Sequence, residues 1–185
     1  GDKNNPALLN RQTFYPTNVA PQPAIGTYTF GTAWGYVESL FSGTRNAETE
    51  FTADDGATNL NCVADTLFMV AGCYYGDPSL IEKDASSFGN LLPTAKDCAM
   101  PTHQFKLALR TKKGDTGKRI QECEASELQA IGFWIPTYMT DVVTSGQIDR
   151  FAKSVAEIER LTGLTFFPEV PAEVKASFNR TEWGF

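Results

Sequence analysis

His103-Gln104-Phe105-Lys106-Leu107-Ala108-Leu109-Arg110 alternates polar and apolar side chains, the period of a strand with one buried face. A second strand follows in Ala130-Ile131-Gly132-Phe133-Trp134-Ile135, apolar throughout. Gly114 and Gly117 supply turn residues between them, so the first strand is expected to turn back as a hairpin through Ile120. Ser126-Glu127-Leu128 predicts a short helical turn ahead of the second strand. Ser154 with Glu157 three positions later is a capping box, and Gly163 stands where that helix should stop. Val155, Ile158, Leu161 and Leu164 supply its apolar stripe. Pro171 opens a last short helix, followed by an exposed tail over 180–185 whose Trp183 and Phe185 would suit a docking surface.

The first half of the chain is read the same way. Thr13-Phe14-Tyr15 is a short strand ended by Pro16, and Pro21 and Pro23 keep residues 19–23 in a loop. Trp34, Val37, Leu40 and Phe41 recur at helical spacing before Gly43, which predicts an amphipathic helix over 32–42. Residues 43–61 are rich in Thr, Asn, Asp and Gly and form a surface excursion. Residues 66–72 are a buried strand. The order of elements indicates an α+β fold, an antiparallel sheet with helices packed on its faces.

A chain of 185 residues suits one domain with one sizeable core. No apolar run approaches the roughly 20 residues that span a bilayer, so no membrane partner is expected. The opening Gly1-Asp2-Lys3-Asn4-Asn5 lacks the basic start and apolar stretch of a secretory signal, so it is either cytosolic or already processed. The four cysteines are expected to form two disulfides rather than stay buried thiols, with Cys62–Cys73 and Cys98–Cys123 the simplest pairing. The second bridge would clamp the base of the 103–122 hairpin. With one histidine and no C-x-x-C spacing, a structural zinc site is not expected. Asn179-Arg180-Thr181 is a glycosylation sequon and agrees with secretion.

The net charge of −6 argues against a broad nucleic-acid-binding surface. One stretch concentrates cations locally, with Arg110, Lys112, Lys113, Lys118 and Arg119 set against the single acid Asp115. It is either a solvated hairpin tip or a loop that contacts phosphates.

Two groups of segments carry a family resemblance. The first is Thr13-Phe14-Tyr15-Pro16-Thr17-Asn18-Val19-Ala20-Pro21-Gln22 followed by Trp34 and Glu38. The second is Pro101-Thr102-His103-Gln104-Phe105-Lys106-Leu107, then residues 130–134, then Ser154-Val155-Ala156-Glu157-Ile158-Glu159-Arg160-Leu161-Thr162-Gly163-Leu164-Thr165-Phe166-Phe167-Pro168. In order and spacing this resembles the DNA/RNA non-specific endonucleases, the ββα-metal nucleases. Most of residues 13–170 takes part, corresponding to the C-terminal three-quarters of that domain.

The resemblance implies magnesium-assisted hydrolysis of DNA and RNA phosphodiesters. A histidine in a D-R-G-H motif would be the general base, and a helix asparagine would hold one largely hydrated ion. Asn18, and Glu38 acting on metal-bound water, are the matching site residues, and they are expected to face a common cleft beside strand 66–72. The departures are specific. Phe30 stands one turn before Trp34, where the family has its asparagine, and Ser42 takes the place of an arginine beyond Glu38. No D-R-G-H occurs, so the histidine would lie upstream of Gly1 or in a companion chain. His103 does not match the base position and is expected at a surface or sheet edge.

Two functions follow. One is a secreted nuclease-fold protein with impaired catalysis, kept for binding or for a structural or assembly role. The other is part of a working nuclease whose base lies elsewhere.

Overall fold

The computed structural model describes residues 20, 30–41, 67–76, 101–112, 116–137 and 139–184. The expected strand 13–15, the excursion 43–61, and Asn18, Cys62, Cys98, Lys113 and Phe185 lie outside them.

Helix α1 spans Phe30–Phe41, shifted slightly upstream of the expected range. Strands β1 (Leu67–Tyr74), β2 (His103–Thr111), β3 (Leu128–Pro136) and the two-residue β4 (Ala152–Lys153) follow. Helices α2 (Val155–Thr162) and α3 (Ala172–Ala176) complete the regular elements. The strands form one sheet in the order β1-β2-β3-β4, every neighbour antiparallel. The fold is therefore α+β, with helices on both faces of an antiparallel sheet.

The expected return through Ile120 does not occur. Residues Ile120–Glu122 form a single 3-10 turn, and β2 pairs instead with β3, with Arg110 opposite Gln129 and His103 opposite Pro136. Turn glycines are a local signal, whereas pairing is decided by which strand can bury both faces, and β3 is apolar enough to do so.

Both faces of β2 are buried, not one. Phe105, Leu107 and Leu109 on one side join Ala130 and Trp134 of β3 in a core with Val155 and Ile158 of α2 and Val174 of α3. Ala108, Ile131, Phe133 and Ile135 on the other side pack against Phe30, Ala33 and Val37 of α1, with Ile148, Phe151 and Trp183. The polar members of the alternation, Lys106 and Arg110, thus point under α1 and Trp183 rather than into water. Strand β1 is less covered than expected, with Phe68 42% and Met69 43% exposed.

The caps of α2 form as the sequence predicts. Glu157 N–H donates to Ser154 Oγ at 3.1 Å and Ser154 N–H donates to Glu157 Oε2 at 2.8 Å. Such a box stabilises a helix by about 1 kcal/mol. Gly163 ends the helix in the left-handed region at φ 71°. Leu164 falls outside the stripe and is exposed. Glu159 then ties α2 to α3, accepting hydrogen bonds at 2.8 Å from Phe166 N–H and from Lys175 Nζ. Close seating of α2 needs Gly132, since a Cβ there would lie 2.4 Å from Ile158 Cδ1 and 2.9 Å from Leu107 Cδ2.

The tail is exposed at Arg180, Thr181 and Gly184 as expected, but Trp183 anchors it in the core. Trp183 is fully buried, its ring 6.1 Å edge-on to Phe41. Arg110 Nη2 donates to Glu182 O at 2.6 Å, and the guanidinium lies 4.7 Å over the Trp183 ring. A large aromatic has more to gain from the sheet face than from water, and the buried arginine supplies its polar anchor.

Candidate functional site

Phe30, Trp34 and Glu38 stand one helical turn apart on α1 and so form a single stripe. Phe30 has no exposed surface and stacks on Trp34 with ring centroids 5.7 Å apart. Trp34 Nε1 donates to Glu38 Oε1 at 2.9 Å. From the sheet, Lys106 Nζ reaches the same oxygen at 3.4 Å and lies 4.4 Å from the Trp34 ring centroid. One carboxylate oxygen therefore takes an indole N–H and an ammonium together. Burial pushes the Lys106 ammonium below the ordinary lysine range, and the Glu38 carboxylate pulls it partly back. Glu38 itself is 56% exposed, so water screens the pair and its net worth is about 1 kcal/mol or less.

The sequence does not mark Lys106 as part of this group. The usable signal was strand parity, which puts Lys106 on the same face as Ala108 and Arg110 and opposite to Phe105 and Leu107. Its partner on α1 could not be read from spacing alone.

A hard divalent cation needs several oxygen ligands, at about 2.1 Å for magnesium. The Phe30–Trp34–Glu38 stripe offers Glu38 alone, and one of its oxygens already faces Lys106 and Trp34. Phe30 contributes an apolar ring to the core. Among the described residues, no group of three or more His, Cys, Asp or Glu gathers as a metal site. These side chains do not fit a bound divalent ion at this stripe. Asn18, expected beside Glu38, lies outside the described residues.

His103 is neither at a sheet edge nor near Glu38. Three positions before Lys106, it faces the opposite side of β2, stacked 4.9 Å from Trp134 with Nδ1 3.3 Å from Thr102 Oγ1. Burial pushes its pKa below the ordinary histidine value.

Among the described cations of the expected loop, Arg110, Lys118 and Arg119 are engaged by neighbouring groups. Arg110 is 1% exposed and engaged with Glu182 and Trp183, so it is not a phosphate contact. With its amide oxygen turned to Arg110, Gln129 bridges that guanidinium and Glu182 Oε2 at 2.8 and 2.7 Å. Lys118 Nζ binds both Glu127 oxygens at 2.8 and 2.9 Å, and Arg119 Nε binds Glu122 at 2.8 Å. Those partners hold the Glu127 and Glu122 carboxyls below the ordinary range. Lys112 is half-buried at the end of β2. The sequence shows five cations but not that Glu122, Glu124 and Glu127 fold back beside Lys118 and Arg119.

Neither expected disulfide forms at its described cysteine. Cys73 and Cys123 are both free thiols, the latter buried with Sγ 3.5 Å from Arg119 O. The Cys98–Cys123 bridge depends on strands flanking a 103–122 hairpin, and that hairpin does not form. Burial raises the Cys73 thiol above its ordinary pKa. No helix among the described residues is long and apolar enough to cross a membrane.

The family model described as DNA/RNA non-specific endonuclease matches residues 2–173. No curated protein sequence gives a significant match. Among solved structures, a chain from the crystal structure of the EndoG/EndoGI complex, on the mechanism of EndoG inhibition, is 17% identical with a TM-score of 0.47. The alignment covers 88% of this chain and 54% of that one, so the chain spans about half the length of that relative.

Proposed function

The chain belongs to the DNA/RNA non-specific endonuclease family, a family of metal-dependent nucleases, and on that premise we propose that it is a secreted, catalytically impaired member. Its role is then binding or a structural part in an assembly. The observation that carries this reading is Phe30, fully buried and stacked on Trp34 at the position where the family places its metal-holding asparagine. Lys106 adds to it by taking up one Glu38 oxygen. The sequon at Asn179 supports secretion, whereas the free thiols at Cys73 and Cys123 withdraw the support that disulfides would have lent. Nucleic acid remains the partner that family membership suggests, held through phosphates rather than base edges. Three of the loop cations, Arg110, Lys118 and Arg119, are already engaged within the chain, which weakens the case for a tight grip.

A second reading keeps the activity, with a histidine base on an upstream segment or a companion chain and magnesium in an altered shell. Glu38 favours it, since its carboxylate is retained at the family-like spacing from Trp34 and is more than half exposed.

Purified chain incubated with a plasmid and a structured RNA, with millimolar magnesium or manganese, separates the two. The expected result is no chelator-sensitive cleavage. Absence of the base alone typically costs about 10²–10⁴-fold. Nicking that a chelator abolishes, and that Glu38→Ala also abolishes, would overturn the impaired reading.

A further inference from the structure

Asn179-Arg180-Thr181 is the single Asn-x-Ser/Thr sequon of the chain; it follows α3 and its Thr181 opens the Thr181–Trp183 turn. Asn179, Arg180 and Thr181 are all exposed. The Thr181 N–H donates to Asn179 Oδ1 at 3.1 Å, an Asx turn that commits the amide oxygen and leaves Nδ2 available. Arg180 is engaged with Asp149. Asn179 also lines a cleft of about 440 Å³ together with Lys112, Ser126, Gln129, Ser177 and Phe178. The Gln129 amide is already taken by Arg110 and Glu182, but hydroxyl and ammonium groups around one aromatic ring are a means by which proteins hold a sugar. The polar groups meet ring hydroxyls, and the flat apolar surface meets the C–H face.

We propose that Asn179 is an N-glycosylation site and that the first sugar of its glycan seats in this cleft. The proposal rests on the secretion reading, because the transfer takes place in the secretory lumen. A bond forms between Asn179 Nδ2 and C1 of the reducing-end N-acetylhexosamine. The bond from C1 to the pyrophosphate of a lipid-linked oligosaccharide breaks. Nδ2 gives up one proton, the lipid pyrophosphate departs, and no electron transfer is needed.

The test expresses the full chain behind a cleavable signal peptide in a secreting eukaryotic cell, beside Asn179→Gln, Thr181→Ala and Thr181→Ser. The expected wild-type product carries the mass of one glycan. Peptide N-glycosidase removes it and leaves aspartate at 179 in the peptide map. Thr181→Ser keeps the sequon and should keep the glycan, which separates loss of the acceptor from loss of folding. Asn179→Gln and Thr181→Ala should lose it. A secreted, folded chain with unmodified Asn179 would overturn the proposal. Because the signal peptide enforces delivery, that failure would not bear on natural secretion, which is tested by locating the natural gene product. Seating in the cleft predicts slower amide hydrogen exchange over residues 125–129 in the glycosylated than in the deglycosylated chain. Equal exchange there would mean the sugar projects into solvent, and the cleft would not be its seat.

Discussion

Lys106 and Glu38 meet 3.4 Å apart at the junction of sheet and helix, although they are 68 positions apart in the chain. The ammonium is nearly buried and the carboxylate is not, so the two partners do not depend on each other equally. Removing Glu38 strands a buried charge, which costs more than the pair is worth. Glu38→Gln should therefore destabilise the fold at neutral pH by about 1 kcal/mol, allowing for screening of the exposed carboxylate. The folded pKa of Lys106 lies below its unfolded value, so the burial penalty is full at neutral pH and fades as pH rises through the folded value. The deficit of Glu38→Gln should shrink at alkaline pH as Lys106 deprotonates. Urea unfolding of both proteins at neutral and alkaline pH measures this, and an equal deficit at both would sink it.

His103 gives a pH dependence of its own. Its folded pKa is lowered from the ordinary 6.5 by burial. The neutral ring is favoured in the fold, so its contribution is present above pH 6.5 and is lost as pH falls through the lower folded value. Stability should decline on acidification within that window, by at most about 1.4 kcal/mol per pH unit for one proton. His103→Phe keeps a ring against Trp134 and should flatten this part of the profile. Thermal unfolding across mildly acidic pH is the check, and parallel curves for the two proteins would refute it.

Trp183 should matter as much as any core residue. Trp183→Ala removes a fully buried indole beside Phe41 and Arg110 and should cost about 3–5 kcal/mol. Arg110→Met should also lower stability while leaving the salt dependence of any DNA binding unchanged, because the guanidinium is turned inward. A flattened salt slope in Arg110→Met would restore it as a phosphate contact.

Gly132→Ala should cost about 1–3 kcal/mol by overpacking. Its Cβ would meet Ile158 Cδ1 and Leu107 Cδ2. Ile158→Val deletes the nearer atom, so the double variant should be more stable than the sum of the single changes allows. Additive losses in chemical denaturation would show that the strain lies elsewhere.

What could be read beforehand was local. Ser154, Glu157 and Gly163 bracket α2 because capping depends on side chains within one turn of each other, and β2 and β3 announce themselves by short-range pattern. What escaped was decided at a distance. Gly114 and Gly117 mark a turn, but the strand that returns to β2 is chosen by burial. Arg110 sits in a basic run, yet strand parity turns it under Trp183. Trp183 looks like a loose end until the sheet face that receives it exists. At the site, the Trp34–Glu38 spacing was visible one turn apart, while Lys106, on another element, was not.

The burial of Trp183 also sets an order of events during synthesis. Phe30, Val37, Phe133 and Ile135 have all left the ribosome well before residue 183 is made, yet the indole that joins their cluster comes after them. Until it emerges, Arg110 has neither the ring nor the Glu182 carbonyl that occupy it in the finished fold. A nascent chain stalled short of Trp183 thus presents an open apolar face with a charge at its margin, a surface suited to chaperones.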